Sequence, residues 1–152
     1  MALFLSTYTN KLDRKGRLSV PAPFRAALAD QDFKGVVAFR SYKYPALDCF
    51  GMDRMEALGQ SLDTLDLFSD TQDDLTATLF ADARPLPFDN EGRILLPEDL
   101  IAHAGLSEQA AFVGRGRTFQ IWEPAAFAAR QAEARSRVQS TGLTLRLTGG
   151  AA

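Results

Sequence analysis

A single cysteine, Cys49, rules out an internal disulfide framework, and one histidine, His103, leaves no Cys/His set for a structural zinc. Any metal would have to be bound by carboxylates alone. Long apolar runs are also missing: each is short and interrupted by charge, far below the ~20 residues that span a bilayer. The opening stretch MALFLSTYTNKLDRKGR has neither a basic segment ahead of its apolar residues nor the apolar length of a secretory signal. A cytoplasmic location with no membrane partner is therefore expected. No nucleophile and base stand at a catalytic spacing, so the chain does not read as an enzyme, and nothing in it calls for a cofactor or a small-molecule substrate. What is present is ordinary globular composition, 46% hydrophobic and 24% charged over 152 residues.

Basic excess is lacking as well. The net charge is −2, which looks wrong for a nucleic-acid binder, whose affinity comes largely from Lys and Arg on phosphates. The distribution matters more than the total. Residues 1–60 are net +3, residues 61–82 carry six Asp and no basic residue, and residues 83–152 are net +1. Acidity concentrated in one middle segment leaves room for a basic face elsewhere on the molecule.

The chain repeats itself. Leu12-Asp13-Arg14-Lys15-Gly16-Arg17-Leu18-Ser19-Val20-Pro21 matches Phe88-Asp89-Asn90-Glu91-Gly92-Arg93-Ile94-Leu95-Leu96-Pro97 without a gap, at an offset of 76. Asp, Gly, Arg and Pro are identical in register, and the apolar positions around them correspond. Downstream, Val36 to Arg40 reads like Ala111 to Arg115, and Cys49 to Asp53 like Phe119 to Glu123. Two modules of one plan follow: a strand, a tight turn, a second strand, a short helix and two more strands. Gly16 and Gly92 supply the positive φ that a three-residue hairpin loop with a bulge demands, and Pro21 and Pro97 end the second strand where a helix can begin. Between the modules, the spacing of Met55, Leu58, Leu62, Leu65, Leu75 and Leu79 predicts a helical hairpin broken at Phe68 to Thr71. After the second, Ala125 to Val138 predicts a last helix, with Arg130, Arg135 and Arg137 outward and a loose tail from Gly142. The divisions are residues 7–54 and 83–126 for the modules, 55–82 for the insert and 127–152 for the terminal helix and tail.

An Asp-x-x-x-Arg pair spans the turn in both copies, so carboxylate and guanidinium can meet across the loop. An arginine held this way offers its remaining donors with little further entropy loss, which suits a phosphate or a guanine edge. In the first copy Arg14, Lys15 and Arg17 place three cations within four residues. In the second, Asn90 and Glu91 replace two of them, leaving Arg93 in a net-acidic loop. The plainer alternative is that Asp13 and Asp89 form Asx-type turns and pair with the arginines only to stabilise a hairpin.

The segments LDRKGRLSVPAPFR and FDNEGRILLPEDL closely resemble the two repeats of the MraZ family, in the SpoVT-AbrB superfamily. The resemblance covers nearly the whole chain, including the repeat spacing, the helical insert and the Gly116 to Trp122 strand. It implies an α+β, mainly β fold: two SpoVT-AbrB-like repeats forming a swapped-hairpin β-barrel, with a helical hairpin insert and a C-terminal helix. It also implies chains associated into a ring and a transcription regulator, associated with the nucleoid, that binds double-stranded DNA at direct repeats upstream of its own division and cell-wall gene cluster. Asp13, Gly16 and Arg17, and Asp89, Gly92 and Arg93, match the family signature. Arg14, Lys15, Arg17 and Arg93 are the candidate DNA contacts. Glu91 departs from the family pattern. An oligomeric scaffold without specific DNA binding is the competing class, and it would tolerate loss of the loop cations.

Other features read more plainly. Gly114 to Arg117 lacks the third glycine and following helix of a dinucleotide fingerprint and reads as a hairpin turn, with Arg115 and Arg117 as accessory phosphate contacts. His103 falls at a helix end or on the surface, Cys49 reads as a small buried hydrophobe, and Trp122 and the phenylalanines read as core. The acidic stretch from Asp63 to Asp74 matches no loop of metal ligands and reads as a solvated helix face.

Overall fold

The computed structural model describes residues 2–147. The end of the expected loose tail, residues 148–152, lies outside the described residues, and Gly142–Leu147 carries no regular element. The fold is α+β and mainly β. The first module contributes β1 (Thr7–Lys11), β2 (Arg17–Ser19), α1 (Ala22–Ala27), β3 (Gly35–Arg40) and β4 (Ala46–Phe50). The insert holds α2 (Met52–Leu62) and α3 (Asp70–Leu75), the latter running into a π-helical turn at Thr76–Phe80. The second module repeats the plan with β5 (Arg84–Pro87), β6 (Arg93–Leu95), α4 (Glu98–His103), β7 (Gln109–Gly114) and β8 (Phe119–Trp122), followed by α5 (Pro124–Thr141).

Local chemistry accounts for the boundaries. Pro21 and Pro97 stand at the N-caps of α1 and α4. The break in the insert is a cap, since Ser69 Oγ accepts from the Gln72 amide, and Phe68 before it takes φ +66°. The start of α5 is held by the Glu123 carboxylate, which accepts from the amides of Ala125 and Ala126.

The turns expected at Gly16 and Gly92 form, with φ of +85° and +75°, but the strands beside them do not run on as hairpins. The flanks of the first turn form an isolated bridge, Leu12 to Leu18, rather than a ladder, with Asn10 Nδ2 donating to Ser19 O at 2.6 Å. Beyond it β1 pairs with β7 and β2 pairs with β6, so each module gives its strands to the other. The hydrogen-bonded sheet is open, in the order β1-β7-β8-β4-β3-β5, and β2-β6 forms a separate two-stranded ribbon. The expected barrel is thus not closed by strand pairing, because the tight turns carry β2 and β6 out of the sheet.

The pairings obey a pseudo-twofold relation, and its registers correct the downstream alignment read from sequence. Lys11 faces Gln109 where Pro87 faces Gly35, which sets β3 against β7 at an offset of 74, one residue from the sequence matching. Val37 faces Phe50 where Ala111 faces Trp122, setting β4 against β8 at 72. A one-residue slip exchanges the faces of a strand, so the distinction is structural. The relation maps the β4–β8 pairing onto itself about Asp48 and Gln120, which face each other across it. There Gln120 Nε2 donates to Asp48 Oδ1 at 2.7 Å, and its Oε1 accepts from Trp122 Nε1 at 2.8 Å.

Both faces of the sheet are covered. One carries Val36, Ala38, Leu47, Cys49, Ala110, Phe112, Phe119 and Ile121, packed with Leu18 and Ile94 of the ribbon and with Phe24, Leu28 and Leu100 of α1 and α4. Phe24 lies at its centre, with the rings of Phe4 and Phe119 at 5.2 and 5.0 Å. The opposite face holds Val37, Phe39 and Phe50 under the insert, and Ala46, Ala111, Val113 and Trp122 under α5. Cys49 and Trp122 are core as expected, and Phe68, at the expected break in the insert, is 88% exposed. Arg130 is not simply outward: its guanidinium stacks 5.0 Å from the centre of the Tyr44 ring.

Candidate nucleic-acid interface

The ribbon is amphipathic by alternation. Leu18 and Ile94 point into the core, so Arg17, Ser19, Arg93 and Leu95 share the outward face. Arg17 faces Leu95 and Ser19 faces Arg93, which puts the two arginines on the diagonal of the ribbon, about 7–8 Å apart at the backbone. Two arginines from opposite modules therefore lie side by side on one exposed surface.

Each turn is built the same way. The Asp13 amide donates to Arg17 O at 3.1 Å and the Gly16 amide to Asp13 O at 3.0 Å, and the second turn repeats both bonds at 2.9 and 3.1 Å. The turns then clamp the opposite module: Leu96 N donates to Gly16 O at 2.8 Å and Val20 N to Gly92 O at 3.1 Å. The ribbon is thereby extended at both ends.

Asp13 accepts from the amides of Lys15 (3.0 Å) and Arg17 (2.8 Å) and from Arg17 Nε (2.6 Å). Asp89 accepts from the amides of Glu91 (2.9 Å) and Arg93 (2.9 Å) and from Arg93 Nε (2.8 Å). The Asx turn and the salt bridge are thus one device. The backbone amide of the paired arginine, reinforced by its guanidinium, holds each carboxyl below its ordinary range. Asp89 in turn raises the already high pKa of Arg93. In both turns the carboxylate takes the guanidinium by Nε, so the two terminal amino groups are not used in that bond.

There the turns diverge. The terminal amino groups of Arg17 have no carboxylate partner among the described residues, whereas Arg93 Nη1 lies 3.5 Å from Glu91. Exposed Arg14 and Lys15 join Arg17 and Lys11 around a cleft of about 700 Å³, whose only acids are Asp13 and Glu108. The second turn has no such cluster of its own. Arg25, read from sequence only as part of a short helix, lies beside it: the space a Cβ would take at Gly92 is met by Arg25 Cδ at 2.8 Å, and Arg25 Nε donates to Val20 O at 3.1 Å. Nothing local in the sequence points to that contact, which crosses from one module to the other. Leu95, 58% exposed opposite Arg17, likewise carries no signal in the sequence.

The charge segregation has a structural counterpart. The insert packs on the sheet face opposite the ribbon, and it carries the aspartates of residues 61–82 there with it. Arg40 pairs with Asp82 (2.7 Å) and Arg84 with Asp99 (2.5 Å). Arg115 and Arg117 flank the β7–β8 turn as expected. His103 ends α4, with Nε2 at 3.2 Å from Tyr44 O. Among the described residues no group of three or more His, Cys, Asp or Glu is arranged to hold a metal ion, and no helix is long and apolar enough to cross a membrane.

A family model described as "MraZ protein, putative antitoxin-like" matches residues 3–42 and 79–147, both turns included. The chain belongs to the MraZ family. The match leaves out 43–78, which holds most of the helical insert. The chain is similar to a protein of Gluconacetobacter diazotrophicus, 50% identical over 94% of this chain and 92% of that one. Relatives from Gluconobacter oxydans (45% identical, 96% and 91% covered) and Rickettsia canadensis (42%, 96% and 98%) match similarly. Each of these members of the MraZ family carries the name transcriptional regulator MraZ.

Proposed function

We propose that this chain is a transcription regulator that binds double-stranded DNA through the outward face of the β2–β6 ribbon and the two turns at its ends. The observation that carries this reading is the pair of carboxylate-anchored arginines, Arg17 and Arg93, on one exposed ribbon face. Such a ribbon fits a major groove, where an arginine can meet both acceptors of a guanine. Arg14 and Lys15, exposed beside Arg17, supply phosphate contacts, and Asp13, Gly16, Asp89 and Gly92 hold the geometry. The names of the relatives support regulation, and the location follows the DNA: cytoplasmic, on the nucleoid. Strands exchanged between modules support reading residues 7–54 and 83–126 as swapped-hairpin repeats around the insert at 55–82, with 127–152 as terminal helix and tail. Homo-oligomeric association into a ring and direct repeats upstream of the chain's own gene cluster complete the proposal. A weak basic turn repeated around a ring gains by multivalency what one copy lacks.

The test is a gel-shift titration with duplex from upstream of the chain's own coding sequence and a random duplex of equal length, at two salt concentrations. Arg17→Ala is expected to abolish the preference for the upstream duplex while the oligomer, read by sedimentation, stays intact. Unchanged affinity in the variant would overturn the assignment and favour a scaffold.

A further inference from the structure

We propose that Arg25, on α1 of the first module, is the phosphate-binding cation of the second turn, an inference that rests on the DNA-binding reading above. Three observations carry it. Arg25 is exposed and lies against Gly92, the backbone position at the tip of the second turn. Its Nε is fixed on Val20 O, so its reach is set while its terminal amino groups have no carboxylate partner among the described residues. Its counterpart across the pseudo-twofold is Ile101, whose Cδ1 lies 3.6 Å from the place a Cβ would take at Gly16. The first turn, with Arg14, Lys15 and Arg17 against Asp13, is net +2 without help, and an apolar neighbour suffices there. The second, with Arg93 against Asp89 and Glu91, is net −1, and Arg25 brings it to neutrality. An arginine stands on the turn that lacks charge and an isoleucine on the turn that has it.

Glu91 therefore does not silence the second end of the ribbon. The missing cation is delivered from the other module, and each end of the ribbon presents an anchored arginine with at least one flanking cation. The ligand is the DNA backbone, since Arg25 sits at the turn rather than on the ribbon face where base edges would lie.

The test compares wild type, Arg25→Gln, Arg25→Lys and Arg17→Ala in titrations of the upstream and random duplexes over a range of salt. Glutamine places an amide nitrogen as many bonds from Cα as Arg25 Nε, so it can still donate to Val20 O while lacking the charge. One lost phosphate contact lowers the slope of log K against log salt by about 0.9, about tenfold in affinity at 0.1 M relative to 1 M. Arg25→Gln is expected to show that loss equally on both duplexes, and Arg25→Lys to restore the slope. A slope unchanged in Arg25→Gln, with wild type binding and Arg17→Ala defective, overturns this inference alone. Absence of salt-dependent binding by wild type overturns the DNA reading and this inference with it. Phenylglyoxal labelling of the wild-type protein, mapped by peptide mass, tests the same point without a variant: saturating duplex should protect Arg25, and equal labelling with and without duplex overturns the proposal.

Discussion

Gly16 and Gly116 share a φ of +85°, yet their surroundings differ, and this pair isolates what the first turn contributes. A Cβ built at Gly116 meets nothing within 4 Å, whereas at Gly16 it falls 2.9 Å from Leu96 O. That oxygen belongs to the backbone of the residue whose amide donates to Gly16 O at 2.8 Å, so neither side can yield without loosening the clamp between the modules. Gly116→Ala should incur only the left-handed backbone penalty, about 1–2 kcal/mol. Gly16→Ala adds an overpacking cost of about 1–3 kcal/mol, for a total of about 2–5 kcal/mol. For a chain of this length each kcal/mol moves Tm by about 2–4 °C, so the two variants should melt at clearly separate temperatures. Urea denaturation at one fixed protomer concentration measures the difference free of oligomer mass action. Gly16→Ala should also weaken binding of duplex, because the turn bearing Arg14 and Lys15 must shift, while Gly116→Ala keeps that turn in place. Equal destabilisation by the two substitutions would refute the argument that the Gly16 to Leu96 approach is closed to a side chain.

Arg93→Ala is expected to cost less affinity than Arg17→Ala, because Glu91 already occupies one of its terminal amino groups, and Glu91→Gln is expected to raise affinity; gel shifts at one salt concentration check both. Asp13 has its pKa lowered from 3.8 in the fold, mainly by the Arg17 amide, so its contribution is fully present above that value and is lost as pH falls through the depressed folded value. The difference in urea midpoint between wild type and Asp13→Asn should therefore stay constant from pH 8 to about pH 5 and shrink below about pH 4. A difference that shrinks near neutral pH would show that Asp13 is not the group concerned.

The turns were legible in the sequence because their chemistry is local: an aspartate, a glycine with positive φ and an arginine four residues on leave few other conformations. The repeat, the short helices and the capped break in the insert were legible for the same reason. Strand exchange entered only through the family resemblance and not through any local pattern. β1 and β2 flank a tight turn in sequence, and the pairing of β1 with β7 depends on packing across about a hundred residues. The alignment of β3 with β7 slipped by one residue because both faces of these strands are covered, so Val36 to Phe39 are all buried and no apolar alternation marks the register. Phe68 begins the break that the spacing predicts in the insert, and its positive φ and exposure agree with that reading. Arg25 was invisible at the site because its partner, Gly92, belongs to the other module.

The axis through Asp48 and Gln120 bears on the symmetry of the ribbon. In a dimer of identical modules the residue on such an axis must face its own copy, and two aspartates at 2.7 Å would repel. Joining both modules in one chain lifts that constraint, allowing an aspartate to meet a glutamine there. The same freedom lets the ends of the ribbon differ, one with its own cations and one borrowing Arg25. A ribbon with identical ends would have no front or back and would match an inverted site. With unequal ends it acquires a direction, which under the proposed DNA-binding reading suits a direct repeat rather than an inverted one.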